Sequence, residues 1–185
     1  IQMMAANPKS LLPQTCRMLV LAPTRELAAQ IAESFKTYSK GSRMLVETVF
    51  GGMPIGRQIR ALSRGVDVLV ATPGRLLDLI DQRALSLRNV EFFVLDEADQ
   101  MMDLGFIHAL KRVANLLPKQ RQSLFFSATM PKSISDLGSQ FLNDAVKVSV
   151  TPQATTAERV SQYVTFINGK EKQALLTIQL KTIEH

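Results

Sequence analysis

Phe92-Phe93-Val94-Leu95-Asp96-Glu97-Ala98-Asp99 is the stretch on which the fold turns. Four apolar residues run straight into three acids separated by a single alanine. A continuous apolar run of this length suits a strand buried on both faces of a parallel sheet. The acids then fall at its C-terminal end, the edge where open α/β sheets bind their ligands. An aspartate there can hold a magnesium ion through its waters. A glutamate beside it can orient or deprotonate a water that attacks a phosphoryl group. The competing reading is a solvated acidic turn, and the tetrapeptide alone does not choose between the two.

The pattern repeats on either side. Strand candidates lie at residues 17–22, 45–50, 67–71, 92–96, 123–127 and 146–150, each rich in Val, Leu, Ile or Phe. Helix candidates lie between them. Residues 24–38 place Leu27, Ile31 and Phe35 one per turn, and 54–62, 73–81, 106–117 and 131–142 follow. Three of these begin with proline, which the first helical turn tolerates. Repeated strand–helix–strand units predict an α/β fold with an open, mostly parallel sheet. Residues 1–15 are irregular after the first few, with Asn-Pro and Leu-Pro breaks. Residues 151–157 read as a linker, followed by a strand candidate at 160–167 and a helix candidate at 170–180.

Three further strand ends carry candidate ligand groups. Ala22-Pro23-Thr24-Arg25-Glu26-Leu27 follows the first strand. Thr24 suits the N-cap of the next helix, or contact with a phosphate at that helix N-terminus. Thr72-Pro73-Gly74-Arg75 repeats the design after the third strand, and Gly51-Gly52 follows the second, where the backbone can approach a ligand closely. Ser127-Ala128-Thr129 ends the fifth. Its hydroxyls can bond the nearby acids, or the tripeptide simply leads into the helix that starts around Pro131.

Taken together, Pro23-Thr24-Arg25-Glu26-Leu27, Gly51-Gly52, Thr72-Pro73-Gly74-Arg75, Asp96-Glu97-Ala98-Asp99 and Ser127-Ala128-Thr129 resemble the motifs of the DEAD-box RNA helicases, in that family's order and rough spacing. Leu104-Gly105-Phe106 also looks like the family. The resemblance runs from about Arg17 to Val150 and implies the first RecA-like lobe, with helices on both faces of the sheet. It implies ATP and Mg2+ as cofactors and RNA as partner. Asp96 would help hold magnesium, and Glu97 would position the hydrolytic water. Asp99, Ser127 and Thr129 would couple hydrolysis to strand separation. Pro23, Thr24, Arg25, Gly51, Gly52, Thr72, Gly74 and Arg75 would line the path of one RNA strand through its sugar-phosphate backbone, a contact that positions without reading sequence.

The 185 residues contain no Gly-x-x-x-x-Gly-Lys-Ser/Thr phosphate loop. On the resemblance, residues 1–150 are a partial N-terminal lobe lacking the phosphate-loop strand, 151–159 a linker, and 160–185 the cut-off start of a second lobe. Such a piece is expected to be inactive alone. Two other readings stay open: an RNA-binding or regulatory module that uses the same rim without nucleotide, and a DNA helicase of related fold. The resemblance also puts the missing strand between residues 123–127 and 146–150. The exposed ladder this leaves favours self-association, with 160–167 the best internal filler.

Composition agrees without deciding. The hydrophobic fraction of 46% suits a globular core, and the formal charge of +6 suits a polyanionic partner. No apolar run reaches membrane-spanning length, and no membrane partner is expected. Cys16 is the single cysteine, so no internal disulfide forms, and a reducing, cytoplasmic location is expected.

Overall fold

The computed structural model describes residues 1–150 and 163–182. Five strands, β1 (Cys16–Leu21), β2 (Val46–Val49), β3 (Val66–Ala71), β4 (Phe92–Leu95) and β5 (Gln122–Phe125), form one sheet in the order β2-β3-β1-β4-β5. Every pairing is parallel. The helices are α1 (Gln2–Ala6), α2 (Arg25–Tyr38), α3 (Ile55–Leu62), α4 (Pro73–Asp81), α5 (Ala98–Asp103), α6 (Ile107–Leu116), α7 (Lys132–Gly138) and α8 (Lys172–Thr182), the last preceded by a 3-10 turn at Gly169–Glu171.

Alternation along β1 divides the core in two. Leu19 and Leu21 point to one face, with Leu69, Phe93 and Leu95, and are covered by Leu62 of α3, Leu76 and Leu79 of α4, Met101 of α5, Leu110 and Val113 of α6 and Ile134 and Leu137 of α7. Met18 and Val20 point to the other face, with Val68 and Val70, under Met4 of α1 and Ala28 and Ala32 of α2. The unequal cover follows from handedness. From β1 the chain first moves outward to β2, then reverses and steps back through β3, over β1, to β4 and β5. A right-handed crossover changes face when the direction of travel changes. So α2 lies on one face and the later crossover helices on the other.

The expected strands at 17–22, 45–50, 67–71, 92–96 and 123–127 and the five expected helices are present, with ends moved by a residue or a few. Helix α7 stops at Gly138, short of residue 142. The short helix α5 follows directly on the acids and had no periodic signal of its own. Residues 146–150 are a correction: they carry no regular structure, and Val146, Val148 and Val150 are 89%, 86% and 88% exposed. Alternating valines give β-propensity, but a strand needs a ladder partner. The same holds for 163–167, the described part of the strand expected at 160–167; the remainder of it and the expected linker lie outside the described residues. Residues 1–145 form one compact unit and 146–185 another.

At the N-terminal end of the sheet the charges are tied to one another. Arg17 on β1 is buried and donates from Nε to Glu91 (2.8 Å) and from Nη2 to the Asn7 carbonyl (2.8 Å), with Asp67 at 3.6 Å. Lys9 completes the cluster on Glu91 at 2.8 Å. Burial raises the Glu91 carboxyl, but the bonds from Arg17 and Lys9 outweigh it and hold the group below the usual range.

Candidate nucleic-acid interface and hydrolytic site

Because all strands run the same way, their C-terminal ends share one rim. The register makes them flush: Leu21 lies opposite both Ala71 and Leu95, Val49 opposite Ala71, and Leu95 opposite Phe125. One more backbone bond per strand continues the ladders beyond these ends, Ala22 N–H to Ala71 O, Thr72 N–H to Val49 O, Asp96 N–H to Leu21 O and Phe126 N–H to Leu95 O. The five motifs therefore leave the sheet at one level.

The β2-β3-β1 half of the rim forms an open cleft of about 430 Å³ lined by Pro23, Thr24, Arg25, Gly51, Thr72, Gly74 and Arg75, together with Glu26, Asp78 and Phe106. Seven of the eight residues expected to line a strand path are brought together here. The eighth, Gly52, supports the cleft from below. Its φ of +83° is left-handed, and a Cβ there would collide with the Arg25 guanidinium. Gly52 thus gives Arg25 its place, and Arg25 has no bonded partner among the described residues. Arg75 donates from Nη1 to the Met53 carbonyl at 2.9 Å, and its Nε lies 3.6 Å from Asp78, too far for a hydrogen bond. Thr24 is the N-cap of α2, accepting from Leu27 N–H at 3.2 Å. Its Oγ acts there as an acceptor, so its own hydrogen remains available to a ligand. Two arginines face two acids in this cleft, so side-chain charge alone supplies little attraction for an anion. The N-termini of α2 and α4 open into it and supply outward N–H groups and the positive end of each helix dipole.

The β4-β5 half carries the acids, and they fall into two kinds. Asp96 accepts one bond on Oδ1, from the Glu97 N–H at 3.0 Å, and Glu97 has an exposed side chain. Neither has a cationic partner among the described residues. Glu97 adopts φ 50°, ψ 53°, a left-handed conformation that costs a non-glycine residue about 1–3 kcal/mol and turns the chain sharply into α5. Asp99 is tied down instead. Its Oδ2 accepts from the Thr129 N–H (2.9 Å) and hydroxyl (2.8 Å), and its Oδ1 from the Gln100 N–H (3.1 Å). Its own N–H donates to Ser127 Oγ at 3.3 Å, and that hydroxyl donates to the Thr129 carbonyl at 2.7 Å. Burial acts to raise the Asp99 carboxyl, but the Thr129 and Gln100 bonds prevail and hold it below the ordinary aspartate range. The five acids and hydroxyls expected at the hydrolytic site thus occupy adjacent strand ends, with Asp99, Ser127 and Thr129 in one hydrogen-bonded network.

Reading motifs gave no site role to three residues at or beneath this rim, although Phe106 stands in the family-like Leu104-Gly105-Phe106. Asp78 and Phe106 enter the cleft from α4 and from the turn before α6. Gln58 on α3 is 7% exposed and donates from Nε2 to the Phe50 carbonyl at 3.0 Å, and its buried Oε1 has no hydrogen-bond partner among the described residues. An unpaired buried acceptor of this kind costs about 1–3 kcal/mol. The signal for Gln58 was in the sequence: Ile55, Gln58, Ile59 and Leu62 follow i, i+3, i+4, i+7, a core stripe with one polar member.

A fully parallel sheet covered on both faces, with its candidate ligand groups at the C-terminal strand ends, defines an open, doubly wound α/β domain. The chain belongs to the DEAD/DEAH box helicase family, whose model matches residues 2–137. It is 48% identical over 144 residues to RNA helicase CrhR of Synechocystis sp., covering 78% of this chain and 29% of that protein. It is 45% identical over 157 residues to ATP-dependent RNA helicase DBP2 of Gibberella zeae (84% and 28%) and 41% identical over 163 residues to DEAD-box ATP-dependent RNA helicase CshA of Streptococcus pneumoniae (88% and 31%). The crystal structure of a DEAD box protein from the hyperthermophile Methanococcus jannaschii superposes with a TM-score of 0.67 at 38% identity, over 70% of this chain and 36% of that one. The yeast DEAD-box splicing factor Prp28 gives 0.68 at 33% identity, over 76% and 35%. The chain thus spans under a third of the length of these curated relatives. No helix among the described residues is long and apolar enough to cross a membrane.

Proposed function

We propose that this chain is part of the engine of an ATP-dependent RNA helicase, which couples ATP binding and hydrolysis to local opening of RNA duplexes or remodelling of RNA–protein complexes. The observation that carries the reading is the flush parallel register, which sets a cleft of helix N-termini and arginines beside two unpaired acids on one rim. RNA lies in the cleft, with Arg25, Arg75, the Thr24 and Thr72 hydroxyls and the Gly51, Gly52 and Gly74 backbone against its phosphates, and Pro23 shaping the turn beneath. Glu97 orients the water that attacks the terminal phosphate of ATP and takes its proton. Asp99, Ser127 and Thr129 join the hydrolytic end of α5 to the β5 strand end, so a displacement at one reaches the other.

Asp96 fits a magnesium ion. Among the described residues its Oδ2 has no protein partner, which leaves that oxygen open to a metal-bound water. Asp96 would hold such an ion through its waters. When bound, the ion offsets phosphate charge that Asp96 and Glu97 would otherwise repel. In the longer protein, residues 1–150 serve as part of the first lobe and 160–185 open the second. The single buried, unpaired Cys16 fits work in the reducing cytoplasm.

The test is RNA binding by the chain, measured by fluorescence anisotropy with a labelled ten-residue single strand. Arg75→Ala is expected to weaken binding about tenfold for every sequence and to flatten the dependence of log K on log salt by about 0.7. An altered sequence preference at full affinity would exclude the cleft as a backbone track.

The sheet edge supports a second, separate proposal. Among the described residues strand β5 has a ladder on one side only, and Phe126 and Met130 just beyond it are about half exposed. Two copies of this chain pair through that edge. Sedimentation velocity across a concentration range should show a dimer at high concentration, and a monomer throughout rules the pairing out.

A further inference from the structure

We propose that Gln58 is a positioning residue for the RNA rim: its buried side-chain amide ties α3 to the Phe50 carbonyl and thereby sets the Gly51–Met53 backbone beneath Arg25 and Arg75. The inference rests on the RNA reading of the cleft and adds to it a residue outside the cleft.

The loop it acts on has few other constraints. The last sheet bond on this side is Thr72 N–H to Val49 O, and the first helical one is Arg57 N–H to Pro54 O. Between them two side chains tether the backbone: Gln58 Nε2 at Phe50 O, where the loop begins, and Arg75 Nη1 at Met53 O, where it ends. Arg75 lies in the cleft, so contact with a phosphate competes with its bond to Met53. Gln58 lies beneath the rim, buried, and keeps its bond whatever occupies the cleft. It therefore holds the left-handed Gly52 under the Arg25 guanidinium both with and without ligand.

The amide is a poor choice for packing alone. Gln58 takes a core slot in the Ile55–Ile59–Leu62 stripe of α3, and it leaves Oε1 buried without a donor. A methionine has nearly the same length and would fill that slot, exchanging the unpaired Oε1 for a Phe50 carbonyl that has lost its donor. Packing and positioning thus predict different outcomes. If Gln58 serves stability, replacing it lowers the melting point and weakens RNA binding along with it. If it serves the loop, an apolar isostere keeps the fold and loses RNA affinity.

Gln58→Met and Arg75→Ala are compared with the parent chain by urea denaturation, by anisotropy with fluorescein-labelled decauridylate, and by the amide resonances of Gly51 and Gly52 in two-dimensional nitrogen–proton spectra. Gln58→Met is expected to unfold at about the same urea concentration, since one unpaired acceptor replaces another. It should bind decauridylate about threefold to tenfold more weakly, the equivalent of one hydrogen bond, and shift both glycine resonances. Full affinity in Gln58→Met beside a loss in Arg75→Ala overturns the positioning role, and so does a joint fall in stability and affinity. If Arg75→Ala binds like the parent, the RNA reading itself has failed. The glycine resonances then decide whether Gln58 sets the loop: a shift sustains it, and unmoved resonances overturn it. Gln58→Leu, apolar and likewise without a donor, serves the same comparison should the methionine variant not fold.

Discussion

The two ends of the sheet treat charge in opposite ways. At the N-terminal end Asp67 and Glu91 surround the buried Arg17, and Lys9 takes the remaining oxygen of Glu91. Each of these acids has a cationic partner, Arg17 being shared between them. At the C-terminal end Asp96 and Glu97 have none among the described residues, and Arg25 across the rim is equally unpartnered. Nothing in composition forces this difference, because both ends draw on the same strands. A fold gains little from leaving acids unpaired beside free helix N-termini, whereas a ligand with both a metal ion and phosphates can match them all. Charges satisfied within the chain mark structure, and charges left open on a shaped rim mark a site.

The most severe break of this contrast is Glu97→Gln in the full-length helicase. Hydrolysis should fall by about 10²–10⁴-fold while ATP affinity and thermal stability hold, since in the proposed mechanism Glu97 only orients and deprotonates the water. Single-turnover hydrolysis alongside equilibrium nucleotide binding measures both. An equal loss of binding would assign Glu97 to the ground state.

At the opposite end, Arg17→Ala should do the reverse. It leaves Asp67 without a cation and Glu91 with Lys9 alone, and stability is expected to fall by about 3 kcal/mol, read as a lower urea midpoint at unchanged slope. RNA affinity per folded molecule should not change. A loss of RNA binding in the folded fraction would break the division between the two ends.

The smallest effect sharpens the division inside the acidic half. Asp99 is held below the ordinary aspartate range, so its contribution to stability is complete above its unfolded pKa and is lost as pH falls through its lower, folded value. Thr129→Val removes one of the bonds that favour the ionised form. The Asp99 titration should then move upward, and acid destabilisation should begin at higher pH. Carbon-detected NMR titration of the carboxyl checks the first and acid denaturation the second. At neutral pH the exposed Thr129 should contribute no more than about 0.5 kcal/mol.

Much of this was legible from residue order. The strand at 92–96 and its four paired neighbours were readable because buried parallel strands are continuous apolar runs, and α4 was bounded at Pro73 and Asp81 as its pattern suggested. Thr24 was readable as an N-cap, and the structure shows it capping α2 while it lines the cleft. The valines of 146–150 misled because β-propensity is a property of the segment while strand formation is a property of the pair. Helix α5 had too few residues to show a period.

By itself, the sequence determined the alternation of strands and helices, the chemical identity of every group at the strand ends, and the family to which those groups belong. These are local properties of residue type and spacing. The tertiary structure decided which groups meet. Only the parallel register puts Leu21, Ala71, Leu95 and Phe125 at one level and brings Asp99 within 2.8 Å of the Thr129 hydroxyl thirty residues away. Only packing left Gln58 with one amide atom bonded to the Phe50 carbonyl and the other bonded to nothing, because whether a buried polar group finds a partner depends on neighbours that the chain order does not name.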